Sequence, residues 1–229
     1  MAGVVLLYLG LIFVLGGVAL LLTRWRWRHH LLLAGIGTVV IGALFPTRES
    51  KVTEPRTRLD QLAPAWQFQE IHQVRTGVSC AKAWTAIKDV TAGEVRFFRL
   101  LTWIRRFGRP GPESILNPPA GVPILEVATR TGFRRLAEEA EREIVVGVVV
   151  IPPDAARAFM NFRVTDAGTG GCVVTTETRV DATEGSARRH FAMYWRVIYP
   201  GSAMIRRMWL RALKERAERG EMIGTPDTY

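Results

Sequence analysis

The chain has 229 residues, of which 48% are hydrophobic, and a formal net charge of +10. This length accommodates one domain of ordinary size beside a membrane segment. The basic excess suits an anionic membrane surface or an acidic ligand. No RNA- or DNA-binding motif and no aromatic–basic stripe of the nucleic-acid kind accompanies the charge, so nucleic acid is set aside as a partner.

Residues 2–22 (AGVVLLYLGLIFVLGGVALLL) form a run of 21 residues without a charge. A helix needs about 20 such residues to cross a bilayer core. The run is long for a signal-peptide core, no basic segment precedes it, and no small-x-small cleavage site comes after it, so an uncleaved anchor is expected. Arg24, Arg26 and Arg28 come next, interleaved with Trp25 and Trp27 and followed by His29 and His30. A second apolar run, 31–45, stops at Pro46. It is short for a full crossing, and a tilted or re-entrant packing against the first run stays open. Gly35, Gly37 and Gly42, facing Gly16 and Gly17, would let the two backbones approach closely. Integral attachment to the cell membrane is expected. The side of the remaining chain is undecided: three loop arginines ask for the cytoplasm, while Arg48, Lys51, Arg56 and Arg58 pull the other way.

Residues 47–64 are polar and proline-punctuated and read as a linker. Residues 66–75 alternate and predict a strand, with Trp66, Phe68, Glu70, His72 and Val74 on one face. Ser79 is a candidate N-cap for a helix over 80–90, in which Ala83, Trp84, Ile87 and Val90 recur at helical spacing. Residues 94–106 read as one or two strands. Residues 107–121 form a loop, and Pro123 opens a short helix that ends at Gly132. Strands are expected over 133–138 and 143–151, then over 159–165 and 172–180 around the glycine-rich turn DAGTGG. A long helical segment, 187–219, closes the domain. It is expected to break or kink at Pro200-Gly201, with Ser202 capping the helix after the break. The division is hairpin 1–46, linker 47–64, domain 65–220 and tail 221–229. The element order gives an α+β class: a curved antiparallel sheet on a long C-terminal helix, preceded by two transmembrane helices.

The stretches TETRV (176–180), FAMYWRVIYPGSAMIRRMWLRALKERA (191–217) and GFRRLAEEAEREIVVGV (132–148) together resemble the SRPBCC superfamily, the START-like or helix-grip domains. The likeness is to members of the polyketide cyclase/dehydrase and lipid transport type. It covers about residues 66–219. It implies an apolar pocket under the C-terminal helix and a lipid or other hydrophobic small molecule as ligand. Carrier, cyclase/dehydrase-type enzyme and non-catalytic interaction scaffold share this fold and stay open as alternatives.

Ile205, Met208 and Trp209 lie on one apolar stripe and are candidate pocket lining. Phe68, Glu70, His72, Trp84 and Trp195 join them. Glu70 and His72 are costly to bury unpaired, so pairing with each other, with Arg179, or with a ligand's polar end is expected. Glu177 and Arg179 are placed to pair along their strand. Arg24, Arg26, Arg28, Arg206, Arg207 and Arg211 are membrane-surface candidates. The four histidines lack ligand spacing, so neither metal nor cofactor is called for, and no catalytic residue is assigned. Cys80 and Cys172 also lack such spacing. They read as structural or incidental thiols and leave the redox compartment undecided. The oligomeric state is not legible.

Overall fold

A computed structural model of the chain describes residues 2–21, 28–149, 156–182 and 185–222. Two compact units make it up: residues 1–48 with 188–199, and residues 49–187 with 200–229.

The first unit is built on α1 (Ala2–Leu21) and α2 (Arg28–Leu44). Within α1, residues 2–20 are long and apolar enough to cross a membrane, with a mean hydropathy of 2.5; α2 is shorter. The two helices touch through glycine. A Cβ placed on Gly10 would lie 2.6 Å from Val39 N, one on Gly35 2.7 Å from Val14 N, and one on Gly42 2.5 Å from Leu7 N. Gly16 and Gly37, expected at this contact, face open space instead, while Gly17 meets Leu32. Residues 188–199 of α7 (Gly185–Met222) belong to this unit. Its buried Arg196 donates to Ala43 O at 2.7 Å and to Phe45 O, supplying a cation to the C-terminal carbonyls of α2. Tyr8 Oη donates to Val197 O at 2.9 Å. Gly35→Leu is expected to force the helices apart. Overpacking of this kind costs about 1–3 kcal/mol, read as a lower melting temperature in detergent; an unchanged melting temperature would mean the helices do not meet at Gly35.

The second unit opens with β1 (Ser50–Lys51), α3 (Arg58–Leu62) and β2 (Ala65–Trp66). Residues 47–64 are thus more than a linker. Thr57 and Asp60 form a capping box on α3, and Leu59 is fully buried against Val145 and Ala63. The main sheet holds β3 (Phe68–Thr76), β4 (Arg134–Glu139), β5 (Glu143–Val149), β6 (Ala156–Asp166) and β7 (Cys172–Ala182). It is antiparallel throughout, in the order β3-β7-β6-β5-β4. Edge strand β4 carries Arg134, Arg135, Glu138 and Glu139 and shifts register between Arg135 and Ala137.

Helices α4 (Cys80–Asp89), α5 (Phe98–Arg105) and α6 (Ile124–Thr131) join the strands. Ser79 caps α4 through Lys82 N, as its position predicts. Residues 98–105 are helical where strands were expected. Val95, Phe98 and Leu101 pack on the core while Phe97, Leu100 and Ile104 stay exposed. With apolar side chains on both sides, neither period stands out in the sequence.

The core lies between one face of the sheet and the second half of α7. Ile205, Trp209, Leu210 and Leu213 pack there with Phe162, Val174 and Ile144 and with Ile87 and Ile124 of the flanking helices. Proline lacks a backbone donor, yet Pro200 lies inside α7 with no break in the helix. Ser202 is therefore inside a helix and caps nothing. Cys80 and Cys172, expected as thiols, form a disulfide that ties the start of α4 to the start of β7. Nothing in a separation of 92 residues announces that pairing.

Candidate functional site

Strand alternation decides which side chains meet α7. Phe68, Glu70, His72, Val74 and Thr76 point to the covered face of β3, while Ile71, Gln73 and Arg75 are exposed. Trp66 does not share that face. It sits in β2, before the main strand begins, and stacks 4.0 Å from the Arg179 guanidinium. Arg179 in turn binds Asp60 Oδ1 at 2.7 Å, Ala63 O at 2.9 Å and Glu177. The Glu177–Arg179 pairing along β7 is present, and Arg179 is committed to the opposite face from Glu70.

Glu70 is 3% exposed and paired twice. Its Oε1 lies 2.9 Å from His72 Nε2, and its Oε2 accepts from Ser202 Oγ at 2.8 Å. A carboxylate buried this deeply costs several kcal/mol unless its lone pairs are satisfied, and β3 and α7 satisfy them jointly. The carboxylate stands between serine and histidine. A nucleophilic triad needs the histidine in the middle, so this order does not activate Ser202.

Next along α7 comes Arg206. Its guanidinium turns to the sheet, donating to Thr178 Oγ1 at 3.0 Å and contacting Met160 Sδ. Cross-strand register puts Glu70, Thr178 and Met160 in one row, so Arg206 lies over the row that Glu70 begins. Burial pushes the guanidinium down to about 10, Glu70 pulls it back up, and the charge of Arg105 lowers it further. Arg206, a sequence candidate for the membrane surface, therefore faces the interior. Trp209, one turn on, packs on Phe162 at 5.1 Å between ring centroids. Its buried Nε1 has no hydrogen-bond partner among the described residues.

An open groove of about 550 Å³ runs beside this cluster, between β3 and α7. Val74 and Leu210 give it an apolar strip, His72, Gln73 and Glu215 border it, and Arg207, Arg211 and Lys214 supply an excess of positive charge. Lys214 is engaged with Glu218 and with Arg75 O. Arg207 and Arg211 are exposed.

Of the remaining candidates, Phe68, Ile205 and Trp209 are buried in the second unit, with Met208 packed partly buried against its core. Trp84 is core packing on α4. Trp195 belongs to the first unit, stacked between Phe191 and Tyr199. Arg24 and Arg26, and the side chain of Arg28, lie outside the described residues. Sequence reasoning missed Ser202, Thr178 and Met160 as members of the cluster. Each is joined to its partner only by strand pairing or by a contact spanning up to 132 residues, which leaves no local signal.

No family model matches the chain, and no curated protein matches it. Solved structures do. Protein MLL2253 from Mesorhizobium loti is 16% identical, with 66% of this chain covering 98% of that one at a TM-score of 0.37. The di-domain ARO/CYC BexL from the BE-7585A biosynthetic pathway is 16% identical over 69% of this chain and 48% of its own, at a TM-score of 0.38. A START superfamily protein from Mycobacterium smegmatis is 13% identical over 66% and 97%, at a TM-score of 0.30. At such scores the functional reading rests on this chain's own residues.

Proposed function

Taking the second unit as a START-like, helix-grip domain, we propose that the protein binds an amphipathic molecule with an anionic end, drawn from a bilayer to which α1 and α2 attach it. The groove carries the reading. Its volume falls within the range of small-molecule sites, Val74 and Leu210 give it an apolar strip, and Arg207 and Arg211 stand exposed at its side. Apolar burial, worth roughly 25 cal/mol per Å², would hold the hydrophobic part, and the arginines would hold the charge.

The disulfide supports a side for the domain. Such bonds persist in oxidising compartments and are rare in the cytosol, so the domain belongs on the extracytoplasmic face. Arg24, Arg26 and Arg28 would then stand on the cytoplasmic side, which is the half of the charge balance that favours this orientation.

The test uses the full chain in detergent with a fluorescent fatty acid. Arg207→Glu/Arg211→Glu is expected to weaken binding at least about tenfold, since one lost charge-assisted hydrogen bond is worth ~1.5–3 kcal/mol. An unchanged affinity, or no uptake by the unaltered chain, would sink this reading.

A further inference from the structure

The largest unassigned feature of the second unit is the outer face of α5. Phe97, Leu100, Trp103 and Ile104 are each about half exposed, and Phe107 is 85% exposed. Spacings of three and four residues align them along one side. The opposite side is conventional: Phe98 and Thr102 are buried, and Thr102 Oγ1 returns its hydrogen bond to Phe98 O at 2.8 Å. Phe97 and Phe107, at the two ends, both have backbone in the left-handed region, with φ of 58° and 54°. Bulky residues rarely adopt it, and here the rings it presents are exposed.

The charge around this face has one sign. Residues 95–112 contain Arg96, Arg99, Arg105, Arg106 and Arg109 and no acid. Beside Trp103, a shallow pocket of about 280 Å³ is bordered by Arg99, Arg106 and Asn117. Arg106 is held there by Asn117 Oδ1 and Arg109 O, and its buried Nε has no partner among the described residues.

We propose that α5 is a membrane-docking helix whose aromatic face enters the headgroup layer of an anionic phospholipid bilayer, with lipid phosphate at the Arg99–Arg106 pocket. Aromatic rings of this type favour the interfacial layer, and basic residues add attraction to anionic lipid. An exposed apolar face edged by arginine without acids is complementary to such a surface. Glu94, just before α5, binds Arg216 and Arg219 of α7 at 2.9 Å, so α5 is braced against the helix that carries the candidate site. Arg105 at its end is near enough for its charge to reach Arg206. The proposal rests on the membrane reading of the hairpin only to bring the bilayer within reach.

The full chain, reconstituted into nanodiscs of brominated phosphatidylglycerol and phosphatidylcholine, supplies the test. Quenching of tryptophan emission should be greater in the unaltered chain than in Trp103→Phe. That difference should fall at least twofold in phosphatidylcholine alone, and it should vanish in Leu100→Glu/Phe107→Glu, both changes at exposed positions. No difference between the unaltered chain and Trp103→Phe overturns the proposal. So does a Leu100→Glu/Phe107→Glu variant that turns a dimer into a monomer while leaving the quenching intact, which would make a second copy the occupant. Release of the chain from membranes by alkaline carbonate would count against the hairpin. Retention with Trp103 unquenched would count against α5 alone.

Discussion

Glu70→Leu is expected to destabilise the second unit by about 3–5 kcal/mol, since each buried polar group left without its partner costs about 1–3 kcal/mol and the nearby Arg206 loses an opposite charge. In a domain of this size that is roughly a 10 °C drop in melting temperature. The carboxylate is the acceptor for Ser202 and the partner of His72, and its charge favours the charged form of Arg206, which burial opposes. The change strands all three groups at once. Adding Arg206→Met removes the stranded cation, and replacing both members of a buried charge pair by apolar groups is often neutral. The double variant should therefore recover most of the loss. A Glu70→Leu chain that melts like the unaltered protein, or a double variant additive with the singles, would show that Glu70 and Arg206 are not coupled.

Cys80→Ala/Cys172→Ala should cost a further 2–5 kcal/mol or thereabouts, mainly through the freedom regained by the unfolded chain. The closed loop is long, spanning 92 residues, and holds α4, α5, α6 and three strands. The same cysteines report the compartment. Alkylation of intact cells before lysis, then non-reducing electrophoresis, should find both sulfurs protected. Freely alkylated thiols in the native membrane would remove the support for an extracytoplasmic domain. A variant with unchanged stability would mean the loop is held closed by packing alone.

Most of the fold is legible wherever one period dominates. The strands around DAGTGG alternate cleanly, α4 announces itself by Ser79 and its apolar spacing, and Pro123 and Gly132 bracket α6. The alternation in 68–76 also places Glu70 and His72 indoors, and their mutual pairing is required by the cost of burying either alone. The features hidden from the sequence are non-local or two-sided. Trp66 fails to keep the alternation because pairing changes at Gln67, where the short β2 gives way to β3. The α5 segment looks like a strand because it spends apolar residues on a face that no neighbour covers. Pro200 looks like a stop, yet in α7 the residues on both sides are anchored: Arg196 to the end of α2 and Ser202 to Glu70. The disulfide and the Arg206 contacts join positions that only the completed sheet brings together.

Strand β4 has a bearing on crowding. A protein attached to a bilayer, as proposed for this one, diffuses in a plane, so its neighbours arrive sideways and at high local density, the conditions under which open sheet edges zip together. The β4 edge meets such collisions with Arg134, Arg135, Glu138 and Glu139 and with a register shift in mid-strand. Charge and irregularity at an edge deny an incoming strand its ladder of hydrogen bonds. On the proposed reading that the hairpin attaches the chain to a bilayer, β4 would let it reach high surface density without its sheets fusing along that edge.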